Sequence, residues 1–219
     1  MVEITLVRHG QANAGAADET GYDRLSDLGR QQALWLGEHL RDTGQRFDHL
    51  ICGTLNRQRD TATAIAGCLG SEFHQDARLN ELDYYGLATS LRDSHAVPMP
   101  LNRDDFLHHM PQLMTAWEAG RLHSDLESFA AFEGRVRAII AHAEKLGGRV
   151  MLVTSGGLIG MAMRVLLRLE VASYANILLQ INNTSVHRYV KGGNSLLLDT
   201  FNALPHLERA DRAFARTHI

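Results

Sequence analysis

Apolar residues change period along the chain, and the changes mark out alternating strands and helices. Val2–Val7 is a compact β-favouring run, followed by a Gly-, Ala- and Asp-rich stretch over 11–24 that reads as a loop. Ser26 is a natural N-cap for a helix in which Ala33, Leu34, Leu36 and Leu40 recur at helical spacing until Thr43-Gly44. Phe47–Gly53 predicts a second short strand, and Thr54 is the expected cap of a helix through Ile65 and Ala66 to Leu69-Gly70. Phe73–Leu82 reads as short and extended, and Val97-Pro98-Met99-Pro100 is a break. Helices are expected over 104–119 and 126–146, a Val- and Leu-rich strand over 149–154, then helices over 157–169 and 174–179. Ser185–Val190 and Leu196–Phe201 pair as a hairpin across Lys191-Gly192-Gly193-Asn194. The polar tail beyond Pro205 is expected to be loosely held.

Strand–helix alternation followed by a hairpin predicts an α/β fold: a three-layer sandwich around a mostly parallel sheet covered on both faces. Residues 84–128 contain no convincing strand and are read as a helical cap inserted over the site of a single domain. A length of 219 residues suits that plan.

Composition narrows the function classes. A net charge of −3 with both signs interspersed points away from nucleic acid and membrane surfaces as partners. The longest apolar stretch, Val150–Leu169, is broken by Ser155-Gly156-Gly157 and carries Arg164 and Arg168, so it reads as strand, turn and helix rather than a membrane span. Cys52 and Cys68 form no metal or redox motif and read as small buried hydrophobes. With no visible signal peptide, the cytoplasm is the expected location.

Four segments carry candidate chemistry. The first strand ends in Arg8-His9-Gly10, which delivers an imidazole and a guanidinium to the carboxyl edge of the sheet, where α/β proteins bind ligands. Arg57 falls in the first turn of a helix, where its planar fork and the free N–H groups both suit a phosphate. Glu81 is a carboxylate in an otherwise apolar run, able to serve as proton donor to a leaving oxygen. Ser155-Gly156-Gly157 closes a core strand and opens a helix whose backbone N–H groups can receive an anion. Each has a bland counterpart: a satisfied buried histidine, solvated helix charges, a surface acid and a plain strand-to-helix turn. The adjacent His108 and His109 point to different faces and make no metal pair.

In this order the segments resemble the histidine phosphatase superfamily, which includes phosphoglycerate mutases and broad phosphatases. Arg8-His9-Gly10 resembles its opening motif, Leu25–Ala33 its first helix, Leu55–Ala62 the segment with its second phosphate-binding arginine, and Glu81 its acidic proton donor. The resemblance implies a phosphohistidine on His9, with Arg8 and Arg57 holding the phosphoryl oxygens and Glu81 protonating the leaving alkoxide. It implies a small-molecule phosphate ester as partner, and no metal or cofactor, because arginines supply the charge. Ser155 and Gly156 are expected to touch the phosphate, and Gln11 and Asn13 are candidate substrate contacts.

The chain departs from the family pattern twice. Ser155 stands where a second histidine is usual, one residue before two glycines. Losing one well-placed transition-state donor typically costs roughly 3–4 kcal/mol, or 10²–10³ in rate. Ala12 and Gly15 stand where mutases usually carry Ser or Thr and Asn. The resemblance therefore implies a phosphomonoesterase, slowed by Ser155. The alternatives are a phosphate-ester binding or regulatory protein and, more remotely, a phosphoglycerate mutase. Oligomeric state is not legible.

Overall fold

In the computed structural model, residues 2–13, 19–123 and 125–218 are described; of Glu19 only the backbone is. A six-stranded mixed sheet has the order β3-β2-β4-β1-β5-β6. Its strands are β1 (Glu3–Arg8), β2 (His49–Cys52), β3 (His74–Gln75), β4 (Arg149–Thr154), β5 (Val186–Gly192) and β6 (Ser195–Ala203). The first four pair in parallel among themselves, whereas β5 lies antiparallel to both β1 and β6.

Two-residue alternation sends side chains to opposite layers. Ile4 and Leu6 of β1, with Val150 and Leu152 of β4, join one core, and Val7, Met151 and Val153 join the other. The second core is closed by α2 (Asp27–Asp42) and α3 (Asn56–Leu69), through Leu36, Leu40, Ala62 and Ile65. The first is closed by α4 (Tyr84–His95), α5 (Arg103–Glu118), α6 (Phe129–Leu146), α7 (Gly156–Leu167) and α8 (Val171–Leu178). A one-turn α1 (Glu19–Tyr22) precedes α2.

Ser26 caps α2 by accepting the Gly29 N–H, as its sequence position predicts. Thr54 does not cap α3. The N-cap is Leu55, whose side chain offers no acceptor, and Asp23 fills the role from a distance: its carboxylate accepts from the Asn56 and Arg57 N–H groups at 2.8 and 3.1 Å. The extended reading of 73–82 holds only for His74–Gln75, because Asp76 caps a 3-10 turn over Ala77–Leu79.

The tail is the largest correction. Pro205–Leu207 and Ala210–Ala215 form 3-10 turns that bury Leu207 and Ala215 beside Leu28 and Trp35. Arg212 lies over the Trp35 ring and Phe214 meets it edge-on. The polar letters after Pro205 hide a small apolar cluster too sparse to produce a period.

Candidate active site

The carboxyl ends of β1 and β4 and the starts of α3 and α7 converge on a cavity of about 460 Å³. Arg8, His9, Gln11, Arg57, Glu81 and Gly156 all line it. Four segments remote in sequence thus bring most of the expected site residues together.

His9 sits at the floor, buried, with its backbone N–H on the Thr154 carbonyl at 2.8 Å. Its Nδ1 is 2.7 Å from the Gly10 carbonyl. A carbonyl only accepts, so Nδ1 carries the proton and Nε2 keeps its lone pair. Burial, and then the positive charges of Arg57 and Arg8, push the His9 pKa well below its ordinary value. The imidazole is therefore neutral at pH 7, the form a nucleophile requires. Gly10 donates to Thr61 Oγ1 at 3.1 Å, which ties the motif to α3. A Cβ on Gly10 would fall 2.3 Å from the Gly29 carbonyl oxygen, so only glycine permits this approach of α2.

The two arginines are held differently. Arg8 is buried and donates through Nη1 to the Ile181 and His218 carbonyls, while its Nε has no hydrogen-bond partner among the described residues. Burial lowers its pKa, and the Tyr22 phenol and Glu81 carboxylate oppose that shift. Arg57 is 1% exposed, pairs with Asp23 at 3.1 Å and lies over the Tyr22 ring. Both guanidiniums reach the cavity that contains His9, which is the charge a phosphoryl group needs.

Glu81 is locked from both sides. Its Oε2 accepts the Gly157 N–H at 2.9 Å and its Oε1 the Leu82 N–H at 3.0 Å. A Cβ on Gly157 would come within 2.3 Å of Oε1, so the second glycine of the turn makes room for this carboxylate. Arg135 of α6 clasps the segment by donating to the Arg78, Asn80 and Glu81 carbonyls, and Thr154 Oγ1 donates to the Leu79 carbonyl.

Ser155 and Asn13 are placed elsewhere. Ser155 has no exposed surface and does not line the cavity. Its hydroxyl accepts from Gln58 Nε2 at 2.8 Å, and the same amide donates to the Leu79 carbonyl at 3.0 Å. Buried Gln58 thus fills the space behind the α7 turn, and neither its type nor its spacing announces that role. Asn13 is exposed and donates to the Gly21 carbonyl at 3.3 Å, away from the cavity. Gly15 lies outside the described residues.

Other polar residues reach the cavity without a motif to mark them: Tyr22, Tyr84, Tyr85, Asn183, Thr217 and His218. Arg103 does as well, whereas Arg92 pairs with Asp93 on the surface and His108 hydrogen-bonds within α5. His109 is buried beside Tyr84, and burial lowers its pKa. The upper wall is apolar, built from Met99, Pro100, Phe106, Leu107 and Met110 of the 84–128 segment and by Leu178 and Leu179. Among the described residues no group of three or more His, Cys, Asp or Glu side chains is arranged to hold a metal ion. No helix among them is long and apolar enough to cross a membrane. Cys52 is a buried thiol whose pKa burial pushes up to about 12; Cys68 is half-buried.

The sequence model of the histidine phosphatase superfamily (branch 1) matches residues 4–203. The chain belongs to this superfamily. It is 32% identical over 193 residues to the probable phosphoglycerate mutase GpmB of Citrobacter koseri, covering 86% of this chain and 84% of that protein. Among solved structures it is similar to a mycobacterial glucosyl-3-phosphoglycerate phosphatase in complex with VO3 (25% identity, TM-score 0.67, 93% of this chain and 100% of that one). It also shares its fold with phosphoglycerate mutase from Bacillus anthracis (19% identity, TM-score 0.64, 94% of each chain). The α/β fold is thus phosphoglycerate mutase-like, and superfamily relatives bear both phosphatase and mutase names.

Proposed function

We propose that the protein is a phosphoric monoester hydrolase working through a phosphohistidine on His9. The observation that carries this reading is the state of His9: neutral, with its Nε2 lone pair unspent, in one cavity with Arg8 and Arg57. The Nε2 lone pair attacks phosphorus and the ester P–O bond breaks. Arg8 and Arg57 stabilise the charge spread over the phosphoryl oxygens. Glu81 donates the proton that the departing alkoxide takes up. As carboxylate it then takes a proton from water, which attacks phosphorus, releases inorganic phosphate and restores His9.

Met99, Pro100, Phe106, Leu107 and Met110 give the wall beside Arg103 apolar surface for the organic part of an ester, which supports hydrolysis over isomerisation of a small phosphoglycerate. A small-molecule phosphate ester is the expected partner, with no metal or cofactor taking part. Incubation with a ³²P-labelled ester, quenched within a turnover, is expected to give an acid-labile phosphoenzyme that is absent from His9→Ala. Hydrolysis undiminished in that variant would refute the reading.

The sealed Ser155–Gln58 pair favours one second reading, a protein that binds phosphate esters without turning them over. Vanadate binding with no hydrolysis across a broad ester panel would support it.

A further inference from the structure

The residues after Ala215 reach the site. Thr217 and His218 line the cavity. The His218 carbonyl accepts from Arg8 Nη1 at 2.9 Å, so the tail backbone is one of the acceptors orienting that guanidinium, with the Ile181 carbonyl. Thr217 is held by three contacts. Its carbonyl accepts the Asn183 N–H at 2.8 Å, its hydroxyl donates to Asn183 Oδ1 at 2.9 Å, and that hydroxyl accepts from Gln32 Nε2 at 2.9 Å.

Both partners of Thr217 also hold the opening motif. Asn183 Nδ2 donates to the His9 carbonyl at 3.3 Å, and Gln32 Oε1 accepts the Gln11 N–H at 2.8 Å. Gln32 further donates to the Ala215 carbonyl at 2.7 Å. The tail and the Arg8–Gln11 turn are therefore fixed by the same two buried side chains. Such a network places the next side chain, His218, at the cavity with little freedom.

We propose that His218 is a substrate-contacting residue of this site, its imidazole supplying the phosphoryl group with the hydrogen bond that Ser155 is too buried to give. His218 lines the cavity within electrostatic range of Arg8 and Arg103. Burial and those two charges lower its pKa, so it meets the ligand as a neutral donor. The inference deepens the hydrolase reading but requires only that the pocket bind phosphate.

Vanadate affinity measured by calorimetry is the test, with ring ¹H–¹³C spectra of histidine-labelled full-length protein alongside. His218→Ala should weaken vanadate binding by about ten- to a hundredfold, the range for a hydrogen bond to a charged group. His218→Gln, which keeps a neutral donor, should recover part of that loss. Neither change removes the backbone acceptor of Arg8, so melting curves close to wild type are expected. A merely structural tail would not move the ring signal: vanadate should shift the His218 resonance well beyond that of exposed His74. Unchanged affinity in His218→Ala, an unmoved ring signal, or wild-type protein that ignores millimolar vanadate would each overturn the proposal. Binding that depends on His218 without hydrolysis of any ester would instead refute the hydrolase reading and leave this one standing.

Discussion

Restoring a histidine at position 155 should fail by itself, for a reason visible in the packing. Ser155 and Gln58 are both fully buried and hydrogen-bonded at 2.8 Å, and Gln58 also holds the Leu79 carbonyl. The Gln58 side chain is in turn pressed against Gly53, where an added Cβ would fall 1.8 Å from Gln58 Oε1. An imidazole at 155 has no vacant volume, so Ser155→His must force Gln58 aside. Overpacking of this kind costs about 1–3 kcal/mol. A stranded buried amide adds about 1–3 kcal/mol. The sum, about 2–6 kcal/mol, corresponds in a chain of this size to a fall in Tm on the order of 4–24 °C. Gln58→Ala in the same chain removes the obstacle. The double variant should regain a substantial part of the loss, with a coupling of at least about 1 kcal/mol in a thermal double-mutant cycle. Only the double variant should hydrolyse a phosphomonoester faster than wild type, by up to about 10²–10³ if the imidazole reaches the phosphoryl group. If Ser155→His melts like wild type and Gln58→Ala adds nothing to it, position 155 has room and the steric argument is wrong.

Three further outcomes follow from the same contacts. Arg135→Ala releases the carbonyls behind Glu81 and breaks the Glu127 pair, so kcat should fall at least about tenfold with KM less affected, as single-turnover and steady-state assays can separate. Asp23→Ala removes one ion-pair partner of buried Arg57 and the cap of α3, which should cost at least about 1 kcal/mol in denaturant melts. His187 and His206 are buried neutral with pKa values lowered to about 3, chiefly by burial. The unfolded chain then binds more protons between that value and the ordinary histidine pKa of about 6.5. Their stabilisation is complete above about pH 6.5 and is lost as pH falls, by up to about 1.4 kcal/mol per pH unit for each group. His187→Gln, which keeps a donor for Ser185, should flatten the urea-melt stability profile between pH 6.5 and 5; an unchanged slope would show that His187 is not the titrating group.

The parts legible in sequence were those with a period or a motif. The alternation Ile4, Leu6 against Val7, repeated in β4 as Val150, Leu152 against Met151, Val153, identifies a strand buried on both faces before any coordinates are consulted. Arg8, His9 and Arg57 were readable because each lies where a strand ends or a helix opens, where chain direction aims side chains at the sheet edge; Glu81, between a 3-10 turn and α4, stood out only as a carboxylate in an apolar run. What stayed hidden depends on contacts between distant residues. Gln58 looks like an ordinary polar helix position, Asp23 like a loop acid and Asn183 like a turn residue, yet each is half of a pair whose other half lies at least 30 positions away. The tail misled for a related reason: Leu207, Phe214 and Ala215 are apolar at no regular spacing, and their partner is Trp35.

The Ser155–Gln58 pair also bears on how the site keeps its selectivity for charge. Among the described residues two buried arginines and the Glu81 carboxylate face the cavity, while Asp23 pairs with Arg57 at the N-terminus of α3. An imidazolium at 155 would add a third positive charge behind the same turn. Burial would resist that charge, and the neutral serine–glutamine hydrogen bond avoids the conflict by keeping the interior uncharged. The consequence is a phosphate site whose buried positive charge comes from Arg8 and Arg57. Reducing either guanidinium to lysine removes the planar fork but keeps the charge. Arg8→Lys should be the more damaging of the two, because the Ile181 and His218 carbonyls that aim Arg8 both bind Nη1, a position lysine cannot duplicate. Vanadate titrations of the two variants decide it: an Arg8→Lys protein that binds as tightly as Arg57→Lys would mean that charge, and not the fixed aim of the fork, sets affinity in this pocket.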